Sequence, residues 1–209
     1  SQYTLSLHDA LPIWRGSRLQ AVRLGKTHAV CDILGLEAFN EDHLYENLDW
    51  IERNQAGIED RLYRYRHGEE STEFFLYDVT SSYLEGQCND YAAFGYNRDG
   101  KKGKMQVVVG LLCDDEGIPV SSQVYEGNRQ DTTTYGDQVQ KVATRFGGGE
   151  VTCVGDRGMI KGPQIRETLE HGFHYITGID KSQIRSLIKK GIIQMGLFDE
   201  QLSEITRED

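Results

Sequence analysis

Two aspartates, Asp78 and Asp156, each close a short apolar run that reads as a buried strand: Phe74-Phe75-Leu76-Tyr77 ahead of the first, Val151-Thr152-Cys153-Val154-Gly155 ahead of the second. A carboxylate at the end of a central strand sits where a sheet opens to solvent, and in open α/β sheets that edge is where ligands bind. If the two strands are adjacent and parallel, the carboxylates face one pocket. They could then hold a divalent metal, with roughly 4 to 8 Å between carboxylate carbons. A lone strand-end Asp more often starts a turn or caps the next element. Two of them in this setting favour a shared site.

The elements that must position this pair can be read from the pattern between them. After Asp78 and a polar stretch, the turn signal Asn97-Arg98-Asp99-Gly100 leads into a Val- and Leu-rich run from Met105 to Cys113. Asp114-Asp115-Glu116-Gly117 has tight-turn composition and Ile118 to Tyr125 comes at once after it, so these runs form an antiparallel hairpin. Pro119 removes a ladder donor, which suits an edge strand. Tyr135, Val139, Val142, Ala143 and Phe146 recur at helical spacing, with Asp131 or Thr132 as cap and Gly147-Gly148-Gly149 as terminator. The strand before Asp156 comes next, then a helix through Ile165 and Leu169 and a fifth strand from His174 to Ile179. Three strands, helix, strand, helix, strand is the layout of an α/β, ribonuclease H-like mixed five-stranded sheet with flanking helices, its last strands joined by crossover helices.

At this point several separated motifs fall in one order. Tyr77-Asp78-Val79-Thr80-Ser81-Ser82-Tyr83, Phe94-Gly95-Tyr96-Asn97-Arg98-Asp99-Gly100-Lys101-Lys102-Gly103-Lys104, Glu126-Gly127-Asn128 with Asp131, and Val154-Gly155-Asp156-Arg157-Gly158-Met159 resemble the DDE transposases of bacterial insertion sequences, in the branch whose core carries an inserted domain. The resemblance covers roughly residues 40 to 205. It implies metal-dependent cleavage and strand transfer of double-stranded DNA, both transposon ends and target, with Asp78 and Asp156 as the first two catalytic acids and Mg²⁺ or Mn²⁺ as cofactor. It also implies a third acid, a Glu on a later helix, which no motif before Asp209 matches. The chain therefore resembles a fragment that is inactive alone, from a bacterial or archaeal cytoplasmic protein, with a homodimer open to the full-length form. A nuclease or recombination enzyme of the same fold, or a non-catalytic remnant, are the alternatives. A dinucleotide-binding domain is disfavoured, because no strand precedes GxGxxG and the hairpin breaks the βαβ alternation.

A net charge of −10 and a pI near 5.1 oppose a generic nucleic-acid binder, which is usually basic. The basic residues are clustered, however. Arg98, Lys101, Lys102 and Lys104 share one turn, and Lys181, Arg185, Lys189 and Lys190 lie together near the end. Either cluster could meet phosphate, although a solvated helix face is the favoured reading of the second. Arg157 could contact a scissile phosphate, or orient Asp156 through a salt bridge. Asp131 could add a metal ligand, but an N-cap is the favoured role. Cys31, Cys88, Cys113 and Cys153 lack CxxC spacing and read as reduced thiols, and His171 and His174 lack partners for a zinc site. No run of about 18 apolar residues exists to span a membrane.

Residues 1–14 match no part of the family pattern and read as a translated adapter tail. Residues 15–70 read as an N-terminal helical segment. Within it, Leu44, Leu48, Ile51, Ile58 and Leu62 give a helix of about twenty residues capped by Asn40. Residues 71–180 read as the partial catalytic core. Residues 181–209, with a short helix through Ile184, Leu187 and Ile188, read as the start of the insertion.

Overall fold

The computed structural model describes residues 16–68, 72–86, 88–96, 103–146 and 150–192. Arg98, Lys101, Lys102, the glycine run 147–149, the tail 1–14 and the acidic finish lie outside them. The chain divides into two compact units, Ser1–Arg61 and Leu62–Asp209.

In the first unit, helix α1 (Arg18–Thr27) starts at Ser17, whose Oγ accepts from the Gln20 N–H at 3.2 Å. Helix α2 (Val30–Leu34) ends at Gly35, where φ is +64°. Helix α3 (Glu41–His67), whose residues from Leu62 on belong to the second unit, begins at Asn40, whose Oδ1 accepts from the His43 N–H at 2.9 Å. It runs 27 residues rather than about twenty. Leu44 is fully buried and Ile51 and Ile58 are half-buried, whereas Leu48 is exposed, so the apolar stripe is covered only in part.

The second unit holds one sheet in the order β3-β2-β1-β4-β5, from β1 (Phe74–Tyr83), β2 (Gln106–Cys113), β3 (Pro119–Glu126), β4 (Thr152–Gly155) and β5 (His174–Ile176). β2 is antiparallel to both of its neighbours, while β4 is parallel to β1 and to β5. Strands β1, β3, β4 and β5 therefore point the same way. Helices α4 (Asp131–Lys141), α5 (Gly162–Glu170) and α6 (Lys181–Lys189), which come after β3, β4 and β5, all begin at one edge. This mixed sheet with flanking helices is the ribonuclease H-like architecture expected from the order of elements.

The β2–β3 turn is closed by Asp114, whose N–H donates to the Ile118 carbonyl at 2.9 Å, and by Gly117 at a φ of +76° that other residues rarely adopt. Pro119 opens β3 on the outer edge, where its missing N–H costs no ladder bond. Phe75, Tyr77 and Val79 alternate toward a core shared with Val108, Leu112, Tyr135, Val139, Val142 and Phe146. Each such fully buried side chain contributes about 1.5–3 kcal/mol. Helix α4 finishes in a π-helical turn, Val142–Phe146, that keeps Val142 and Phe146 inside.

Three local expectations change. β1 does not stop at Asp78 but runs to Tyr83, because Val79 is buried and β2 pairs with the strand as far as Tyr83–Gln106. The N-cap of α4 is Gln130, not Asp131; Asp131 is the first helical residue, where its charge complements the positive helix end. β5 ends at Ile176, three residues earlier than its apolar run.

Candidate active site

β4 ends at Gly155 while β1 continues, paired from there on with β2 alone. The parallel register is Phe74 with Thr152, Phe75 with Cys153, Leu76 with Val154 and Tyr77 with Gly155. One step further along both chains stand Asp78 and Asp156, both exposed. Backbones of adjacent strands lie about 4.8 Å apart, so the pair flanks the point where β4 leaves the sheet.

Each acid is held differently. Asp78 sits mid-strand opposite Leu111, and its Oδ1 accepts from the Val79 N–H at 2.8 Å. Asp156 starts a tight turn: its carbonyl accepts from the Met159 and Ile160 N–H groups at 2.9 and 3.1 Å, and its Oδ2 from the Gly158 N–H at 3.2 Å. Met159 and Ile160 are 2% and 4% exposed, so the hydrophobic core fixes that turn from below. Gly155 has no room for a side chain, since a Cβ there would lie 3.1 Å from Ile160 Cδ1 and 3.4 Å from the Tyr135 ring. Arg157 makes no ion pair with Asp156 among the described residues. Its Cβ lies 3.9 Å from where a Gly178 Cβ would stand. The Ser182 hydroxyl and the Gln183 N–H hold the Asp180 carboxyl below the usual range, and the charge of Arg157 adds a smaller push in the same direction.

A residue the motif reading passed over joins two of the motifs. Gln106 is 2% exposed, and its Nε2 donates to the Gly127 carbonyl at 2.8 Å and the Tyr96 carbonyl at 3.1 Å. Its backbone exchanges hydrogen bonds with Ala93 at 3.0 and 3.1 Å. A Cβ on Gly127 would collide with the Gln106 and Ala93 carbonyls, and one on Gly95 with the Gly127 carbonyl and Gln106 Nε2, which is why the Phe94-Gly95-Tyr96 and Glu126-Gly127-Asn128 stretches carry glycine where they cross. The signal was legible: Gln106 falls in the inward frame of a strand whose other inward positions are Val108, Gly110 and Leu112. Beside this crossing is an open polar cleft of about 250 Å³, lined by Tyr96, Asn128, Arg129, Asp131, Thr132 and Lys161 among others. Lys104, the described member of the first basic cluster, pairs with Glu85.

Among the described residues no group of three or more His, Cys, Asp or Glu side chains gathers at metal-ligand spacing. Asp78 and Asp156 form a donor set of two hard carboxylates, each with one oxygen that accepts no hydrogen bond from the described residues. Such donors fit Mg²⁺ or Mn²⁺.

An antiparallel hairpin and then two parallel crossovers, with one acid inside β1 and the other just past the end of the adjacent β4, define a ribonuclease H-like fold. The family model described as "Transposase DDE domain" matches residues 69–207, more than half of the chain, and the chain belongs to that family. Its fold is similar to parts of three solved structures. One is the piggyBac transposase synaptic complex with hairpin DNA, at 12% identity and a TM-score of 0.41, covering 57% of this chain and 26% of that one. Another is the simian T-cell lymphotropic virus intasome in complex with PP2A regulatory subunit B56 gamma, at 11% identity and a TM-score of 0.33, covering 59% and 40%. The third is the Mos1 transposase paired-end complex with left transposon end, at 9% identity and a TM-score of 0.34, covering 85% and 72%. No curated protein matches the chain. No helix among the described residues is long and apolar enough to cross a membrane.

Proposed function

We propose that this chain carries part of the catalytic core of a DNA transposase of the insertion-sequence kind, with Asp78 and Asp156 as its first two catalytic carboxylates and divalent-metal ligands. The observation that carries this reading is the β1–β4 register, which ends one step short of the two acids.

Cleaving or joining a DNA phosphodiester by in-line displacement needs an activated water or 3′-hydroxyl and a stabilised leaving 3′-oxygen. A pair of Mg²⁺ ions, when bound, supplies both. The chain's own residues set the conditions for that chemistry. Asp78 presents its carboxylate from the middle of a ten-residue strand, paired with β2 opposite Leu111 and directly after Leu76 and Tyr77, which pair on both sides, so its backbone is held in place. Asp156 presents its carboxylate from a turn that Met159 and Ile160 anchor in the core. Two like charges facing one space repel when nothing lies between them, and a cation relieves that repulsion. The third acid implied by the family resemblance matches no motif in these 209 residues, so strand cleavage is assigned to a form of the protein that carries it. Residues 71–180 are the core in this reading, and residues from 181 onward lead toward the inserted domain.

The test is Mn²⁺ binding, monitored by electron paramagnetic resonance of free Mn²⁺ or by calorimetry. The wild-type chain is expected to bind Mn²⁺, and Asp78→Asn and Asp156→Asn are each expected to weaken binding at least about tenfold, since each removes a charged ligand. Equal binding by the wild type and both variants would sink the assignment.

A further inference from the structure

Helix α6 stands out in a chain of net charge −10, because its nine residues, Lys181-Ser182-Gln183-Ile184-Arg185-Ser186-Leu187-Ile188-Lys189, include no acid. Lys181, Arg185 and Lys189 recur at steps of four. At 3.6 residues per turn they fall within about 80° of arc and span about 12 Å along the axis. All three are exposed, and none forms an ion pair among the described residues. Ile184 and Leu187, on another side of the helix, are half-buried, which turns the basic stripe away from the protein. The start of the helix is also fixed by its own residues. Asp180 and Gln183 form a reciprocal capping box, with Asp180 Oδ1 accepting from the Gln183 N–H and Gln183 Oε1 from the Asp180 N–H, both at 2.8 Å.

Position makes this stripe more than a solvated face. β5 is parallel to β4 and β4 to β1, so α6 begins at the same sheet edge that carries Asp78 and Asp156. Arg157, next in sequence to Asp156, has its Cβ 3.9 Å from where a Cβ on Gly178 would stand, two residues before the α6 cap, and its charge is felt at Asp180. A run of exposed cation thus leads from the candidate acids along α6. A duplex carries one phosphate per about 3.4 Å of each strand, so a 12 Å basic stripe faces about three phosphates.

We propose that α6 is a docking face for the phosphate backbone of duplex DNA, contacted by Lys181, Arg185 and Lys189. This rests on the reading of the chain as a DNA transposase core, and it names where on that core the DNA lies. The contact is to backbone only, so it is independent of base sequence.

The experiment is fluorescence anisotropy of a labelled duplex titrated with the 209-residue chain, from about 50 to about 200 mM NaCl. The triple variant Lys181→Gln, Arg185→Gln, Lys189→Gln is expected to bind at least about tenfold more weakly at low salt, with the slope of log affinity against log salt reduced by about 2 to 3. The single variant Arg185→Gln gives a partial loss, and Lys181→Arg with Lys189→Arg gives none. The exposed, unpaired side chains leave the melting temperature of these variants unchanged. Equal affinity and slope for the triple variant and wild type overturn the proposal, as does absence of duplex binding by the wild type. Wild-type affinity for polyglutamate equal to that for duplex overturns it in favour of a general polyanion or acidic-protein surface. Mn²⁺ binding at Asp78 separates the two readings. Mn²⁺ binding that Asp78→Asn leaves unchanged, with a weakened triple variant, sinks only the catalytic assignment, while Mn²⁺ binding lost in Asp78→Asn with an unaffected triple variant sinks only the docking face.

Discussion

Asp114 is the most committed charge among the described residues. It is fully buried, yet it meets Arg66 Nε at 3.1 Å and His67 Nε2 at 3.2 Å, and accepts from the backbone N–H groups of Glu116 and Ile118 at 3.1 and 2.8 Å. Removing the carboxylate orphans two backbone donors and leaves Arg66 and His67 without that partner. Arg66 keeps Glu116 and some solvent, so the cost belongs at the low end of that for breaking a buried pair. Asp114→Ala is expected to lower unfolding free energy by about 3 kcal/mol, read from urea denaturation. A second expectation concerns protons. Burial pushes the Cys153 thiol up to about 11 from an ordinary 9.0, and burial likewise raises the phenols of Tyr63, Tyr77, Tyr125 and Tyr135. The folded state keeps protons that the unfolded chain releases, so the stability these groups contribute is fully present below the ordinary value and is lost as pH rises, between about 9 and 11 for Cys153 and above 10 for the phenols. For Cys153 the two-unit gap amounts to about 2–3 kcal/mol. Urea midpoints at pH 8 and 10.5 should differ accordingly, and the difference should shrink in Cys153→Ala.

At the scale of elements, the connection between β1 and β2 is tied down by one amide. Gln106→Ala removes hydrogen bonds to the carbonyls of Gly127 and Tyr96 and leaves a buried acceptor unpaired, at a cost of about 2 kcal/mol. Amide hydrogen exchange across Tyr91–Tyr96 is expected to speed up in this variant while β4 and α5 stay protected. Unchanged protection would mean that the Ala93–Gln106 backbone pair holds the connection unaided. Gly110 is a comparable fixed point. The Tyr77 ring lies over it on the neighbouring strand, so a Cβ there would collide with the phenol. Gly110→Ala should cost about 1–3 kcal/mol through forced repacking.

For the whole molecule, net charge and fold point in opposite directions, and their balance is measurable. The excess of acid slows the approach of a polyanion, while α6 offers a local basic stripe beside the candidate acids. Duplex binding should therefore be weak and steeply salt-dependent. With two candidate carboxylates and no match to a third, residues 1–209 are expected to give no detectable nicking of end-labelled duplex in Mg²⁺. A longer form carrying the later Glu should cut, and Asp156→Ala should abolish that activity. Robust Mg²⁺-dependent cutting by residues 1–209 would place a third acid among them.

The order of strands and helices was readable along the chain because each is written locally: apolar runs bounded by turn residues for β1 to β3, and a period of three to four for α4, whose Tyr135, Val139, Val142 and Phe146 are all buried. The hairpin was legible from Asp114–Gly117 and Pro119, which act through their own backbone geometry. The candidacy of Asp78 and Asp156 was legible too, since an acid after an apolar run marks a strand meeting solvent. Other features depend on partners distant in sequence, and only the tertiary structure decided them. β1 passes Asp78 because β2 pairs with its polar half, which no property of Thr80-Ser81-Ser82 announces. The N-cap fell to Gln130 rather than Asp131 because the chain leaving β3 sets where helical backbone begins. Arg157 came near Gly178, and the α6 lysines gained meaning, only once parallel pairing of β4 with β5 brought residues 156 and 180 to one edge. Periodicity is a property of neighbours in sequence, whereas the sheet edge is created by hydrogen bonds between segments tens of residues apart.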